Sequence, residues 1–277
     1  MTTIAPGATA PSRPRASVGP TFLTHTLILT GRQLRAAWRM PAFLVMNLIQ
    51  PIIWLLLFGQ LFKAVVQIPG FGNGQSYLEF LTPGIVMMMA LFGSAWSGTV
   101  FIQDMQRGVM DRFLTSPTNR ASLIVATLLY QSILAICQSL VVVGIAFWAG
   151  ARFEGGFTGI LLLLLGVVLL TAVFCSLSNA VALLARDQTA LIGISQIITL
   201  PLMFLSSAIM NTKLSPEWVQ NVAAFNPFEW AVIVGRQALS ANPDWAALWG
   251  HVGLLAALTV VMAAWATSAF RVYQRSA

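Results

Sequence analysis

Six stretches without a single Asp, Glu, Lys or Arg follow one another along the chain, and they constrain the fold more than any other feature. They run at about 41–62, 80–102, 121–148, 157–184, 190–210 and 246–270. Roughly 20 apolar residues in a helix are enough to cross the hydrocarbon core of a bilayer, so each stretch can span a membrane. Charged residues make up only 8% of the 277, against about 25% in a soluble domain. That density cannot cover a water-facing surface. The expected fold is therefore an all-α integral membrane protein with six transmembrane helices. The third and fourth stretches are long enough to tilt. The fourth and fifth are close enough in sequence to form a tight helical hairpin.

The basic residues orient the set. Eleven of the 15 Lys and Arg lie in the N-terminal region, the second and fourth loops and the C-terminus, and four lie in the first, third and fifth loops. The richer side is expected in the cytoplasm, which puts both termini inside the plasma membrane. A net charge of +7 does not point to nucleic acid here, because the arginines are scattered singly between apolar runs rather than gathered on one face. Residues 1–20 contain four prolines and no apolar core of a signal peptide; they read as a disordered cytoplasmic tail, with the membrane domain at 21–277. Between tail and first span, Leu23, Leu27, Leu34 and Trp38 share one helical face, and Arg32, Arg35 and Arg39 another. This describes a helix lying in the inner interface. It serves either as a simple anchor or as an anchor that also touches a partner.

The chain lacks the usual chemistry of catalysis and ion coupling. Its two lysines, Lys63 and Lys213, follow Phe62 and Thr212 rather than the glycine of a phosphate-binding loop. No nucleophile elbow or metal-ligand motif occurs, and Cys137 and Cys175 both lie in apolar segments. No catalytic, cofactor-binding or metal-binding residue is expected. Within the spans the polar groups are amides and hydroxyls rather than ionisable groups, which argues against an ion-driven carrier. Asn47, Gln50, Gln131, Gln138, Asn179 and Gln196 are candidates either for interhelical hydrogen bonds or for lining a substrate path. Ala90, Ser94 and Gly98 recur every four residues and suit close helix packing. Pro51 and Pro201 lie inside spans and are expected to kink them.

The loop at 103–120, QDMQRGVMDRFLTSPTNR, is the main polar interruption. Met105, Val109, Phe113 and Leu114 cluster on one helical side, and Arg107 and Asp111 form an i,i+4 pair. Pro117 ends the helix. The prediction is a short amphipathic helix displayed in the cytoplasm. Farther on, 211–245 is too apolar for an ordinary linker. Trp218, Val219, Val222 and Phe225 form a stripe, and FEWAVIV after Asn226–Pro227 is too short to span. Two short helices sunk in the outer leaflet are expected.

These two regions resemble the permease subunits of type-2 ABC transporters, and most closely the daunorubicin-resistance drug-efflux permeases. Gly108, Asp111, Leu114, Ser116 and Pro117 fill the pattern of that family's second-to-third-span loop. Pro201, Phe204, Ser206, Pro216, Trp218, Asn226, Pro227 and Arg236 match its fifth-span and outer-loop landmarks. Val109 stands where threonine is common, and Asp111 where glutamate is. The resemblance implies that Arg107, Gly108, Asp111, Arg112, Phe113, Leu114 and Pro117 belong to a coupling helix that docks on a separate ABC ATPase subunit. ATP and Mg would be used by that partner and not by this chain. It also implies an outer gate at Pro216, Trp218, Asn226, Pro227 and Arg236. A second permease copy, as a homodimer, would complete a path for a hydrophobic substrate within membrane lipid. The expected activity is export of an amphipathic drug, lipid or hydrophobic metabolite, with antibiotic resistance as one outcome. The rival readings are an ion-coupled carrier or channel that works without an ATPase, and a membrane-embedded enzyme.

Overall fold

The computed structural model describes residues 22–61, 76–110, 120–209 and 216–276. Every regular element among them is a helix: α1 (Phe22–Trp38), α2 (Pro41–Leu61), α3 (Tyr77–Ala95), α4 (Thr99–Gln106), α5 (Arg120–Trp148), α6 (Gly156–Ala185), α7 (Gln188–Phe204), α8 (Glu217–Ala224), α9 (Pro227–Leu239) and α10 (Trp245–Ser276). The expected tail, 1–20, lies outside the described residues.

Among the described residues, four segments are helical, long and apolar enough to cross a membrane: Tyr77–Gln106, Ser122–Trp148, Gly156–Ala185 and Trp245–Phe270. They coincide with the second, third, fourth and sixth expected spans. The first expected span falls on α2, which has 21 residues, and the fifth on a shorter apolar helix, Gln188–Phe204. The fifth differs most from expectation. It ends at Phe204 rather than near 210. A helix of 17 residues is only about 25 Å long at 1.5 Å per residue, short of the roughly 30 Å hydrocarbon core. The chain leaves α7 there because side chains of α9 bind the backbone of the next residues, as described below. The expected hairpin between the fourth and fifth spans is present. Arg186 turns into the left-handed region with φ 54°, and the Asp187 carboxylate accepts from the Ala190 amide to cap α7.

The helix α6 is the hub and packs against α3, α5, α9 and α10. It is apolar all round, as a helix surrounded by others or by lipid must be. The buried apolar residues form two clusters. One includes Leu81, Ile85, Leu163, Leu170, Phe228 and Leu248. The other includes Leu29, Ile102, Met110, Ile124, Leu183 and Phe270, at the end of the bundle from which the 103–120 loop departs. Between them lies a layer of buried polar side chains, among them Ser97, Gln131, Ser178, Asn179 and Ser195. Many hydroxyls in the helices satisfy themselves by donating to the carbonyl four residues back, as Thr82, Thr127, Thr199 and Thr267 do.

Apolar side chains gain little by leaving lipid for each other, so helix association in a membrane depends on close packing. Two glycines show how close it is. A β-carbon on Gly84 would run into the Ala208 carbonyl, and one on Gly98 into the Ser178 carbonyl. Both obstacles are backbone and cannot swing aside. The Ala90, Ser94 and Gly98 repeat is therefore a packing seam, with Ala90 and Ser94 buried.

Candidate functional site

Three structural features bear on function: the root of the 103–120 loop, a break in the second span, and a clasp at the opposite end of the bundle. At the loop root, α4 ends at Gln106. The Arg107 amide donates to Gln103 O at 3.0 Å and the Gly108 amide to Met105 O at 3.0 Å. Gly108 takes φ 67°, a conformation that costs a residue with a β-carbon about 1–2 kcal/mol. Arg107 is thus the C-cap of α4, and the backbone turns at Gly108. Helical residues resume at Val109 and Met110, and Met110 is buried in the loop-end cluster. Asp111, Arg112, Phe113, Leu114 and Pro117 lie outside the described residues.

The same root is joined to α1. Arg32 donates to Asp104 Oδ2 at 2.8 Å. Thr26, Leu29 and Thr30 are buried against neighbouring helices, and Thr30 Oγ1 lies 3.3 Å from Ala126 O of α5. The expected division of α1 into two faces is therefore incomplete. Leu23, Leu27 and Trp38 are exposed on the isolated chain, where lipid can cover them, while a third face of Thr26, Leu29 and Thr30 packs on protein.

The second span is not a continuous helix. It breaks at 96–98 between α3 and α4, in the polar layer. Breaking a helix in a membrane frees backbone groups that must find other partners. Ser178 of α6 supplies two: its hydroxyl donates to Ala95 O at 2.6 Å and accepts from the Gly98 amide at 3.0 Å. Ser195 of α7 donates to the same Ala95 carbonyl at 2.9 Å. Ser97 Oγ lies 3.1 Å from Cys175 Sγ. The joint therefore ties α3, α4, α6 and α7 together; sequence reading passed over Ser97 and Ser178, because isolated serines in apolar runs carry no spacing signal.

The opposite end is built on 205–209, the short segment after α7. Asn226 joins two helices there. Its Oδ1 accepts from the Phe228 amide at 2.9 Å, capping α9, while its Nδ2 donates to Leu202 O at 2.7 Å and Leu205 O at 2.9 Å, closing α7. Pro227 takes the first turn of α9, where its missing N–H costs nothing. The Ser207 amide donates to Glu229 Oε2 at 2.6 Å. Arg236, seven residues on along the same face of α9, donates to the Ser207 hydroxyl at 2.7 Å and to the Ser207 carbonyl. Its guanidinium stacks 3.8 Å from the Phe80 ring centroid. Tyr77 donates its hydroxyl to Ile209 O at 3.3 Å. One serine is thus held at its amide, hydroxyl and carbonyl by an acid and a base of α9. The expected pair of short helices, α8 and α9, is present, but they differ in setting. In α9, Phe228, Ala231, Val232, Val234 and Leu239 are buried, whereas α8 and its C-cap expose Trp218 and Phe225, the latter 82% exposed. Pro216 precedes α8 as its N-cap.

The six candidate path amides sit in three settings. Gln131 and Asn179 are buried in the packed interior, and Asn179 Nδ2 lies 3.7 Å from Cys175 Sγ. Gln138 and Gln196 are half-buried, while Asn47 and Gln50 lie on the exposed surface of α2. Sequence reading missed Glu229, and it placed Asp104 on the loop's polar side without its partner Arg32. Glu229 is legible only in hindsight, as an acid two turns before a basic residue on one short helix.

These features define an all-helical, multi-pass membrane protein whose polar groups are spent on joints between helices. The chain belongs to the ABC-2 type transporter family, whose profile matches residues 24–239. It is 31% identical over 220 residues to a ycf38 transport permease of Porphyra purpurea, covering 78% of this chain and 74% of that one. It is 26% identical over 255 residues to the daunorubicin resistance ABC transporter permease protein DrrB1 of Streptomyces coeruleorubidus, covering 92% and 87%. Nodulation protein J of Rhizobium leguminosarum bv. viciae is 26% identical over 242 residues, covering 81% and 86%. The first two of these relatives are named as transport permeases.

Proposed function

We propose that this chain is the permease subunit of an ATP-driven exporter in the plasma membrane, with both termini and the 103–120 loop in the cytoplasm. The observation that carries the reading is the family match across most of the chain. Likeness to a daunorubicin resistance permease over 92% of the chain supports an amphipathic drug, or a lipid or metabolite of similar character, as substrate. The energy comes from a separate ABC ATPase that grips the loop through Phe113 and Leu114, with Arg107, Asp111 and Arg112 orienting it. ATP-driven closure of two such ATPases then moves the loop, and the motion reaches the spans through α4 and α5. Two permease copies pair to enclose the path, and the exposed polar groups of α2 suit a face that meets a substrate or a second copy better than one that meets lipid alone. The α8–α9 region, with Pro216, Trp218, Asn226, Pro227 and Arg236, acts as the outer gate.

Charge reversal at Arg107 and Asp111, and Phe113→Ala, should abolish co-purification of the ATPase or ATP-dependent export while the protein still inserts. Normal assembly and export in all three variants would contradict the docking role.

A further inference from the structure

We propose that α1 is a brace for the coupling loop, with Arg32 and Asp104 as its positioning pair. The inference rests on the reading just given, in which an ATPase drives the 103–120 loop. A lever transmits a push only if both of its roots are held, and α1 reaches both. The first root is the end of α4. Asp104 lies in the last turn of that helix, three residues before Arg107, and accepts from Arg32 at 2.8 Å. Among the described residues α1 and α4 do not pack directly on each other, so this pair bridges a gap between them. The second root is the start of α5. There the Thr30 hydroxyl, which also donates to Thr26 O at 2.8 Å, lies 3.3 Å from Ala126 O, and Leu29 joins Met110, Leu123 and Ile124 in the loop-end cluster.

An exposed ion pair would ordinarily be a weak link. This one is asymmetric: the Asp104 side chain is 15% exposed and that of Arg32 is 42% exposed. The acid is held in the protein and the base reaches in from α1. The pair adds little to holding the helix on the bundle, which the packing of Leu29 and Thr30 already does. Its effect is to fix the azimuth of α4 relative to α1, and so the direction in which the loop leaves the membrane. In this geometry the anchor helix is the member that makes α4 and α5 move together when the loop is pushed.

The test uses the permease with its ATPase in detergent or nanodiscs and needs no identified substrate. Amide hydrogen exchange across 216–240 is compared with and without ATP plus vanadate, alongside the ATPase rate. In the wild-type complex ATP should change exchange in that segment. Arg32→Asp and Asp104→Arg should each keep the ATPase bound and hydrolysing while reducing the ATP-dependent change roughly two- to thirtyfold, the range expected for residues that carry coupling between distant sites. The swap Arg32→Asp/Asp104→Arg should restore most of it, and Arg32→Lys should stay near wild type. A merely structural role would lower stability in the swap as well and would not separate hydrolysis from the distant response. Single variants that behave as wild type, or a swap no better than either single, overturn the brace. A wild-type chain that binds no ATPase overturns the exporter reading and the brace with it, and is distinguished because the failure precedes any substitution.

Discussion

Asn226 makes three hydrogen bonds that join the end of α7 to the start of α9, so no single-purpose residue can replace it. Asn226→Ala removes a helix cap and leaves two carbonyls of α7 without their donor. A lost cap costs about 0.5–2 kcal/mol and a buried unsatisfied group about 1–3, so a loss of about 2–4 kcal/mol is expected, read as a lower melting temperature of the purified protein. An unchanged melting temperature would contradict the assigned bonds. The Ser207 clasp gives a second, more discriminating case. Glu229→Gln keeps an acceptor for the Ser207 amide but leaves the buried Arg236 without its nearby negative charge, and should cost about 1–2 kcal/mol. Arg236→Met removes the donors to Ser207 and leaves Glu229 buried without its nearby positive charge, which should cost about 3 kcal/mol. Equal effects would mean that Glu229 and Arg236 are not arranged as described. At this scale the sequence was only partly informative. Asn226–Pro227 is a readable helix start, and Arg236 stood out as a charge in an apolar run. Ser178 and Ser207 did not, because a serine gains meaning only from the backbone group it meets, and that meeting is made by tertiary packing.

Among the elements, the interrupted second span is the most consequential. Sequence periodicity predicted one continuous helix because no proline marks 96–98 and every residue there is tolerated in a membrane. The break depends on Ser178 satisfying both sides of it. Ser178→Ala should therefore destabilise by about 1–3 kcal/mol, and Ser195→Ala by less, since Ala95 O would keep its bond from Ser178. Thermal unfolding of the two variants should rank them in that order, and the reverse order would mean that α7 rather than α6 holds the joint. Gly98→Ala should be worse than either, because its β-carbon would meet the Ser178 backbone. The fifth span was likewise read too long. Its apolar composition continues to Met210, but the backbone of 205–209 is taken by Tyr77, Asn226, Glu229 and Arg236, a competition invisible in local pattern. By contrast, the hairpin between α6 and α7, the two short helices near the last span and the long apolar helices were all legible, because unbroken apolar length and terminal caps are local properties.

At the scale of the whole molecule, buried polar groups concentrate in joints, while much of the apolar surface is outward. Ile53 and Leu57 of α2, Ile197 and Phe204 of α7, and Val260 and Trp265 of α10 are all exposed on the single chain. Lipid can cover such surfaces, but the same faces are available to a second copy. The account predicts that the purified complex holds two permeases and two ATPases, as native mass measurement would show; a one-to-one complex that still exports would contradict the paired path. The most direct test of the central claim, that this chain depends on a separate ATPase for its power, is daunorubicin accumulation in proteoliposomes. With the ATPase inside-out and ATP supplied, uptake against the gradient is predicted. With the permease alone, under an imposed proton or sodium gradient, none is. Uphill uptake by the permease alone would contradict the account.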